Sequence, residues 1–191
     1  MKNYIAAAGI ILMLAAPALA KEKSSKISAA DQAKRQAAAQ NTLVVPGRSI
    51  GPISLGMGMD QVVSVLGQPD FNYTQNAGAT WTTWKYISIN LIITFGPGAA
   101  PSVTSIAAAG WTHGAQRMGD ISWAKNVEAP SVYYATNAGV TLGTSSFAAI
   151  RDYAGQAYED NTVWITFKQL GLSLNISTDH VVYGLTVRPP E

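Results

Sequence analysis

Tyr86-Ile87-Ser88-Ile89-Asn90-Leu91-Ile92-Ile93-Thr94-Phe95, with Val103 and Ile106 behind it, is written a second time as Phe167-Lys168-Gln169-Leu170-Gly171-Leu172-Ser173-Leu174-Asn175-Ile176, with Val182 and Leu185 behind it. In both stretches apolar residues recur at every second position, the period of a strand with one buried face. The same entry signal lies upstream of each, Ile53-Ser54-Leu55-Gly56 in one case and Val140-Thr141-Leu142-Gly143 in the other. A recurrence at about 80 residues is too long for a solenoid unit and suits two small modules side by side. The expectation is an α+β fold of two tandem repeats, each one helix packed on a three- to four-stranded antiparallel sheet.

The helix of the first module is legible between Gly58 and Gly67. Met59, Val62, Val63 and Leu66 follow the i, i+3, i+4, i+7 spacing of one helical stripe. Gly67 and Pro69 stop it. In the second module Ser145 or Ser146 serves as cap, Phe147, Ile150 and Ala154 make a comparable stripe, and Gly155 ends it. Strand alternation then predicts one strand over Ile89–Phe95 and another over Leu170–Ile176. Gly96-Pro97-Gly98 and Thr178-Asp179 turn the chain toward closing strands at Val103 and Val181. Such a module exposes one sheet face after its helix covers the other, and pairing two modules protects part of that surface.

The amino terminus reads as a cleavable export signal. Lys2 is followed by an apolar run from Ile5 to Ala16, then Pro17 and the small-x-small site Ala18-Leu19-Ala20, with charge resuming at Lys21. A membrane span needs roughly 20 apolar residues, more than this run supplies. The expected location is secreted or periplasmic after cleavage near Ala20-Lys21, with no integral membrane span thereafter. There is no Cys, which excludes disulfides and thiolate metal sites. Charge divides the rest: Lys21–Arg48 holds six basic residues against two acidic (net +4), and Ser49–Glu191 six against nine (net −3). Ala-rich Ser28–Gln40, with Asp31 and Arg35 four apart, supports a helix. It offers no large apolar side chain for docking, so a solvated tether outside the fold is expected. The anticipated organisation is a signal peptide (1–20), a basic Ala-rich linker (21–48), repeat module 1 (49–110), an aromatic connector (111–137) and repeat module 2 (138–191).

Ile50-Gly51-Pro52-Ile53-Ser54-Leu55-Gly56-Met57, with a helix ending Leu66-Gly67-Gln68-Pro69, resembles the opening of the BamE (SmpA/OmlA) family of outer-membrane assembly modules. Two such units in a secreted chain resemble the β-lactamase-inhibitory-protein arrangement. The likeness covers roughly residues 49–110 and 138–188, and its motif is built from structural Gly, Pro and Leu. The chain departs from the first family in having two copies and no lipobox Cys, and from the second in having no Cys at all. The resemblance implies the fold and a bias toward protein binding, and assigns no individual residue.

Catalytic machinery is not evident. Gly56-Met57-Gly58 lacks the third Gly and the Lys-Ser/Thr of a phosphate loop and reads as a turn before a helix. The two histidines are His113 and His180. His113 with Asp120 makes too few ligands for a metal site, and His180 beside Asp179 reads as turn chemistry. Glu159-Asp160 reads as a solvated acid pair. A folded part at net −3 argues against nucleic acid as partner. No catalytic residue, metal or cofactor is assigned.

The remaining signal is aromatic. Trp81 and Trp84 flank a strand start, while Trp111, Trp123, Tyr133 and Tyr134 sit among Gly and polar residues where no period demands them. Tyr and Trp are enriched in binding hot spots, and they also cap small cores. These six are the candidate binding residues of an exported non-enzymatic module, of assembly-factor or inhibitor type, whose partner is an envelope or secreted protein. The alternative is a small secreted hydrolase, or a glycan- or lipid-processing enzyme, built on His113 and an acid.

Overall fold

The computed structural model describes residues 23–24, 27–76, 80–109, 131–153, 155–161, 164–177 and 180–191. The first strands are β1 (Lys23–Ser24), β2 (Leu43–Val45), β3 (Ser49–Ile50), β4 (Ile53–Ser54), β5 (Phe71–Asn76), β6 (Thr80–Tyr86), β7 (Leu91–Phe95) and β8 (Val103–Ala109). They are followed by β9 (Ala135–Thr136), β10 (Glu159–Asn161), β11 (Trp164–Phe167), β12 (Leu172–Ile176) and β13 (Val182–Val187). The helices are α1 (Ala29–Ala38), α2 (Met59–Leu66) and α3 (Ser146–Asp152). The fold is mixed α+β, with three helices and two sheets among the described residues.

The large sheet runs β1-β5-β6-β7-β8-β13-β12-β11-β10, antiparallel throughout, so β8 and β13 join the two halves edge to edge. The small sheet runs β4-β3-β2-β9, with β9 parallel to β2. It joins the segment before Arg48 to the segment after the connector. The core lies between one face of the large sheet and a layer made of the helices and the small sheet. From the sheet it takes Trp84, Tyr86, Leu91, Ile93, Phe95, Ile106, Ile165, Phe167, Leu172, Leu174 and Leu185; from the covering layer it takes Val44, Ile50, Ile53, Val62, Leu66 and Ala149.

Two helical expectations fare differently. Val62 and Leu66 of α2 are fully buried, with Met59 and Val63 packed beside them. The stripe of α3 is displaced: Ser146 and Ala149 are buried, Ile150 and Tyr153 pack against the core, and Phe147 is 72% exposed. Seven residues allow only one buried line, and Ala149 holds it, which turns Phe147 outward.

The predicted strands over Ile89–Phe95 and Leu170–Ile176 begin later than alternation suggests. Ile87–Ile89 and Lys168–Leu170 form 3-10 turns, each closed by a left-handed residue, Asn90 (φ 56°) and Gly171 (φ 63°). Asn90 is buried, and its side chain is used: Nδ2 donates to Ala109 O at 3.2 Å, and Oδ1 accepts from Ser131 N at 2.8 Å and Val132 N at 3.3 Å. Strands β5 and β10, absent from the expected set, extend the large sheet on both sides, and β1 pairs on the far side of β5, giving five strands up to β8 and four from β13. Their polar composition hid them.

The expected tether is part of the fold: it contributes β1, α1 and β2. Ser28 caps α1, accepting from Asp31 N at 3.1 Å, and the helix docks through a buried cation together with the small apolar contact of Ala38. Arg35 is 2% exposed. Its Nη1 reaches both carboxylate oxygens of Asp70 at 2.8 and 3.0 Å, Nε donates to Leu66 O at 3.4 Å, and Nη2 donates to Gln68 O. A guanidinium thus satisfies carbonyls left open at the end of α2, where a cation also suits the helix dipole. The Tyr86 ring lies 5.1 Å from the guanidinium carbon, and Asp70 also accepts from Ile87 N at 2.6 Å. The expectation failed because it counted apolar side chains alone.

Burial raises the Tyr86 phenol well above its ordinary 10.0, with the Arg35 charge opposing the shift, and burial raises Tyr134 likewise. The unfolded chain therefore ionises first. Stability is fully present below about pH 10 and falls as pH rises, by about 1.4 kcal/mol per pH unit for each tyrosine. The Tyr134 hydroxyl has no hydrogen-bond partner among the described residues, so Tyr134→Phe removes one titrating group without breaking a bond seen there. Urea denaturation from about pH 10 upward is expected to give that variant a slope shallower by at most about 1.4 kcal/mol per unit. An unchanged slope would show that Tyr134 ionises equally in both states.

Candidate functional site

Side chains of directly opposed partners share a sheet face, so the register defines the face turned away from the helices. Gln75 stands opposite Trp81, Tyr73 opposite Thr83, and Phe71 opposite Lys85. Thr94 faces both Thr83 and Ser105, and Ile92 faces Ala107. Across the junction Ala107 meets Thr186, which meets Ser173. Beyond them Thr166 and Trp164 stand opposite Ser173 and Asn175, and Glu159 opposite Thr166. Hydroxyls pair across strands, Thr83 with Thr94 at 3.4 Å and Thr166 with Ser173 at 3.2 Å.

The centre of this outward face is closed: Ile92, Ala107, Ala109 and Thr186 are buried. Its flanks are accessible, with Trp81 39% exposed on one side and Trp164 50% exposed on the other. Five strand spacings separate β6 from β11, about 24 Å. Each flank therefore offers one indole beside Thr, Ser or Asn.

The four aromatic candidates among the described residues do not form one cluster. Trp81 and Trp84 are three apart on a single strand, which sends them to opposite faces. Trp84 is 7% exposed in the core, edge-on to Phe95 at 4.6 Å, and its Nε1 lacks a hydrogen-bond partner among the described residues. Tyr133 is 51% exposed while Tyr134 is fully buried. Trp84 and Tyr134 are thereby corrected from surface candidates to core residues. Trp111 and Trp123 lie outside the described residues, as does His113 with the connector through residue 130. Trp164 was missed, although Ile165 and Phe167 as buried alternates would have turned it outward.

Other chemistry is sparse. His180 is exposed with φ 58°, its ring 5.9 Å from that of Phe147. Glu159 bonds Lys168 at 2.6 Å on the surface. Among the described residues there is no group of three or more His, Cys, Asp or Glu able to hold a metal ion. Also among them, no helix is long and apolar enough to cross a membrane. No family model, curated protein or solved structure matches the chain.

Proposed function

We propose that this chain is an exported, non-enzymatic binding module that grips a protein partner in the envelope or outside the cell, as an assembly factor or inhibitor. The observation that carries the reading is the pair of half-exposed indoles, Trp81 and Trp164, on the flanks of the outward sheet face. Large rigid aromatics beside small hydroxyl residues have the composition of a hot spot with its polar surround. The exposed Tyr133 belongs to the same proposal, as do Trp111 and Trp123.

We further propose that the two halves are tandem copies of one module, in keeping with the resemblance to BamE-like and β-lactamase-inhibitory-protein-like units. Matching geometry supports this. Tyr86 opposes Leu91 as Phe167 opposes Leu172, and register shifts occur at Thr94/Phe95 and at Asn175/Ile176. Gly56 N donates to Val103 O at 2.8 Å, and Gly143 N to Val182 O at 2.7 Å. Each copy then presents one aromatic flank to a partner, and the signal sequence delivers the pair outside the cytoplasm.

The test is crosslinked capture from the envelope with the wild-type chain and with Trp81→Ala/Trp164→Ala. The double variant is expected to lose about 2 kcal/mol or more of binding while its unfolding free energy changes by less than about 1 kcal/mol. Capture as strong as the parent's would rule out the flank surface.

A further inference from the structure

A shallow groove of about 280 Å³ opens at the outer edge of the second half, lined by Tyr158, Glu159, Thr166, Lys168, Gln169 and Glu191, with Ala157 at its rim. The volume suits the tip of one side chain rather than a whole small molecule. Tyr158 is 45% exposed, and its ring is steadied 5.8 Å from that of Phe167. Glu191 is held beside the corner by its backbone, whose N–H donates to Lys168 O at 3.1 Å. The groove already accommodates a cation: the Lys168 ammonium lies 2.6 Å from Glu159. Glu159 raises the Lys168 pKa above its ordinary range, first by that hydrogen bond and then by charge, and Glu191 adds to the effect. Two carboxylates face one ammonium, leaving one negative charge over beside an aromatic ring.

We propose that this groove binds the cationic tip of a partner's arginine or lysine, with Tyr158 as its aromatic wall and Glu159 and Glu191 as its counter-charges. A guanidinium stacks on the phenol face, a cation–π contact that water competes with only partly, while Glu191 neutralises it. Lys168 is then a resident competitor for Glu159. That makes a counter-intuitive expectation: removing a lysine from the site should tighten binding of a cation. A neutral sugar or an anion, which would use the ammonium as a donor, should respond in the opposite sense. The identity of the partner as a protein rests on the binding-module reading, whereas the groove's preference for a cation does not.

The probes are Nα-acetyl-arginine methylamide, its neutral isostere built on citrulline, and a methyl glucoside. They are titrated into the isotope-labelled chain from Lys21 to Glu191 while backbone amide shifts are followed. The arginine probe is expected to move amides of residues 157–159, 166–169 and 191 saturably, with citrulline weaker by about fivefold or more. Lys168→Met should tighten arginine binding by about threefold, and Tyr158→Ala or Glu191→Gln should weaken it by a similar factor. These are surface positions, and unchanged shifts elsewhere in the sheet report that each variant is folded. Equal binding of citrulline, weaker arginine binding by Lys168→Met, glucoside shifts in place of arginine shifts, or no shifts at all would each overturn the proposal. The indole variants and the groove variants report separately, so either reading can fail while the other stands.

Discussion

Replacing Arg35 by Ala is expected to lower the unfolding free energy by about 3–5 kcal/mol, the usual cost of orphaning one member of a buried ion pair. The side chains of Arg35 and Asp70 are 2% and 7% exposed, so water cannot take over the missing partner. The substitution also uncovers the Leu66 and Gln68 carbonyls and removes the cation over Tyr86. Much of the loss belongs to the charge left on Asp70, and the double variant Arg35→Met/Asp70→Asn is expected to regain about 1–2 kcal/mol of it. Asn at position 70 keeps an oxygen for the Ile87 N–H. Urea denaturation of the single and double variants supplies the cycle. A single-variant loss below about 1 kcal/mol would mean that α1 is no more than a surface attachment.

Gly171→Ala is expected to cost about 3 kcal/mol, combining about 1–2 for a left-handed backbone with about 1–3 for overpacking. A Cβ at position 171 would run into the Arg188 carbonyl oxygen and stand 2.9 Å from Gly47 Cα and 3.0 Å from Pro190 N. All three are backbone atoms, which cannot swing aside as a side chain does. The Gly171 carbonyl meanwhile accepts from Arg188 N at 2.9 Å and Gly47 N at 3.4 Å, so movement to relieve the clash strains both bonds. Gly143→Ala is the comparison: its φ is +89°, yet a Cβ there meets nothing within 4 Å. It should lose only the conformational part, about 1–2 kcal/mol. Thermal unfolding of the two variants side by side checks the difference, and equal losses would remove crowding from the account.

The apolar alternation of Leu91–Phe95 and Leu172–Ile176 made the heart of the large sheet legible, because period-two burial leaves a direct mark on sequence. The stripe Val62–Leu66 marked α2 for the same reason. Strand β10 left no such mark and β5 only a short one, Phe71 and Tyr73: Asn72, Thr74, Glu159 and Asp160 lie at or near a sheet edge, where apolar residues are unnecessary. Docking of α1 was hidden for a different cause. An Arg reads as a solvent residue until its Asp is known to lie across the fold, and Asp70 is distant in sequence. Of the aromatic candidates, Trp81 and Tyr133 are surface residues and Trp84 and Tyr134 core. Aromatic type alone does not separate these roles; strand parity separates Trp81 from Trp84 and also picks out Trp164.

Asn90 has a consequence for how this chain can vary. Its backbone and side chain hold the chain where it leaves β8 at Ala109, and the same side chain receives it back at Ser131 and Val132. Departure and return meet at one amide, so whatever is spliced between them need not span any distance across the sheet. Closing a longer segment over such a gate costs only about 0.6 kcal/mol for each doubling of its length. A change in length between the two anchors therefore leaves the ends of the segment where Asn90 holds them.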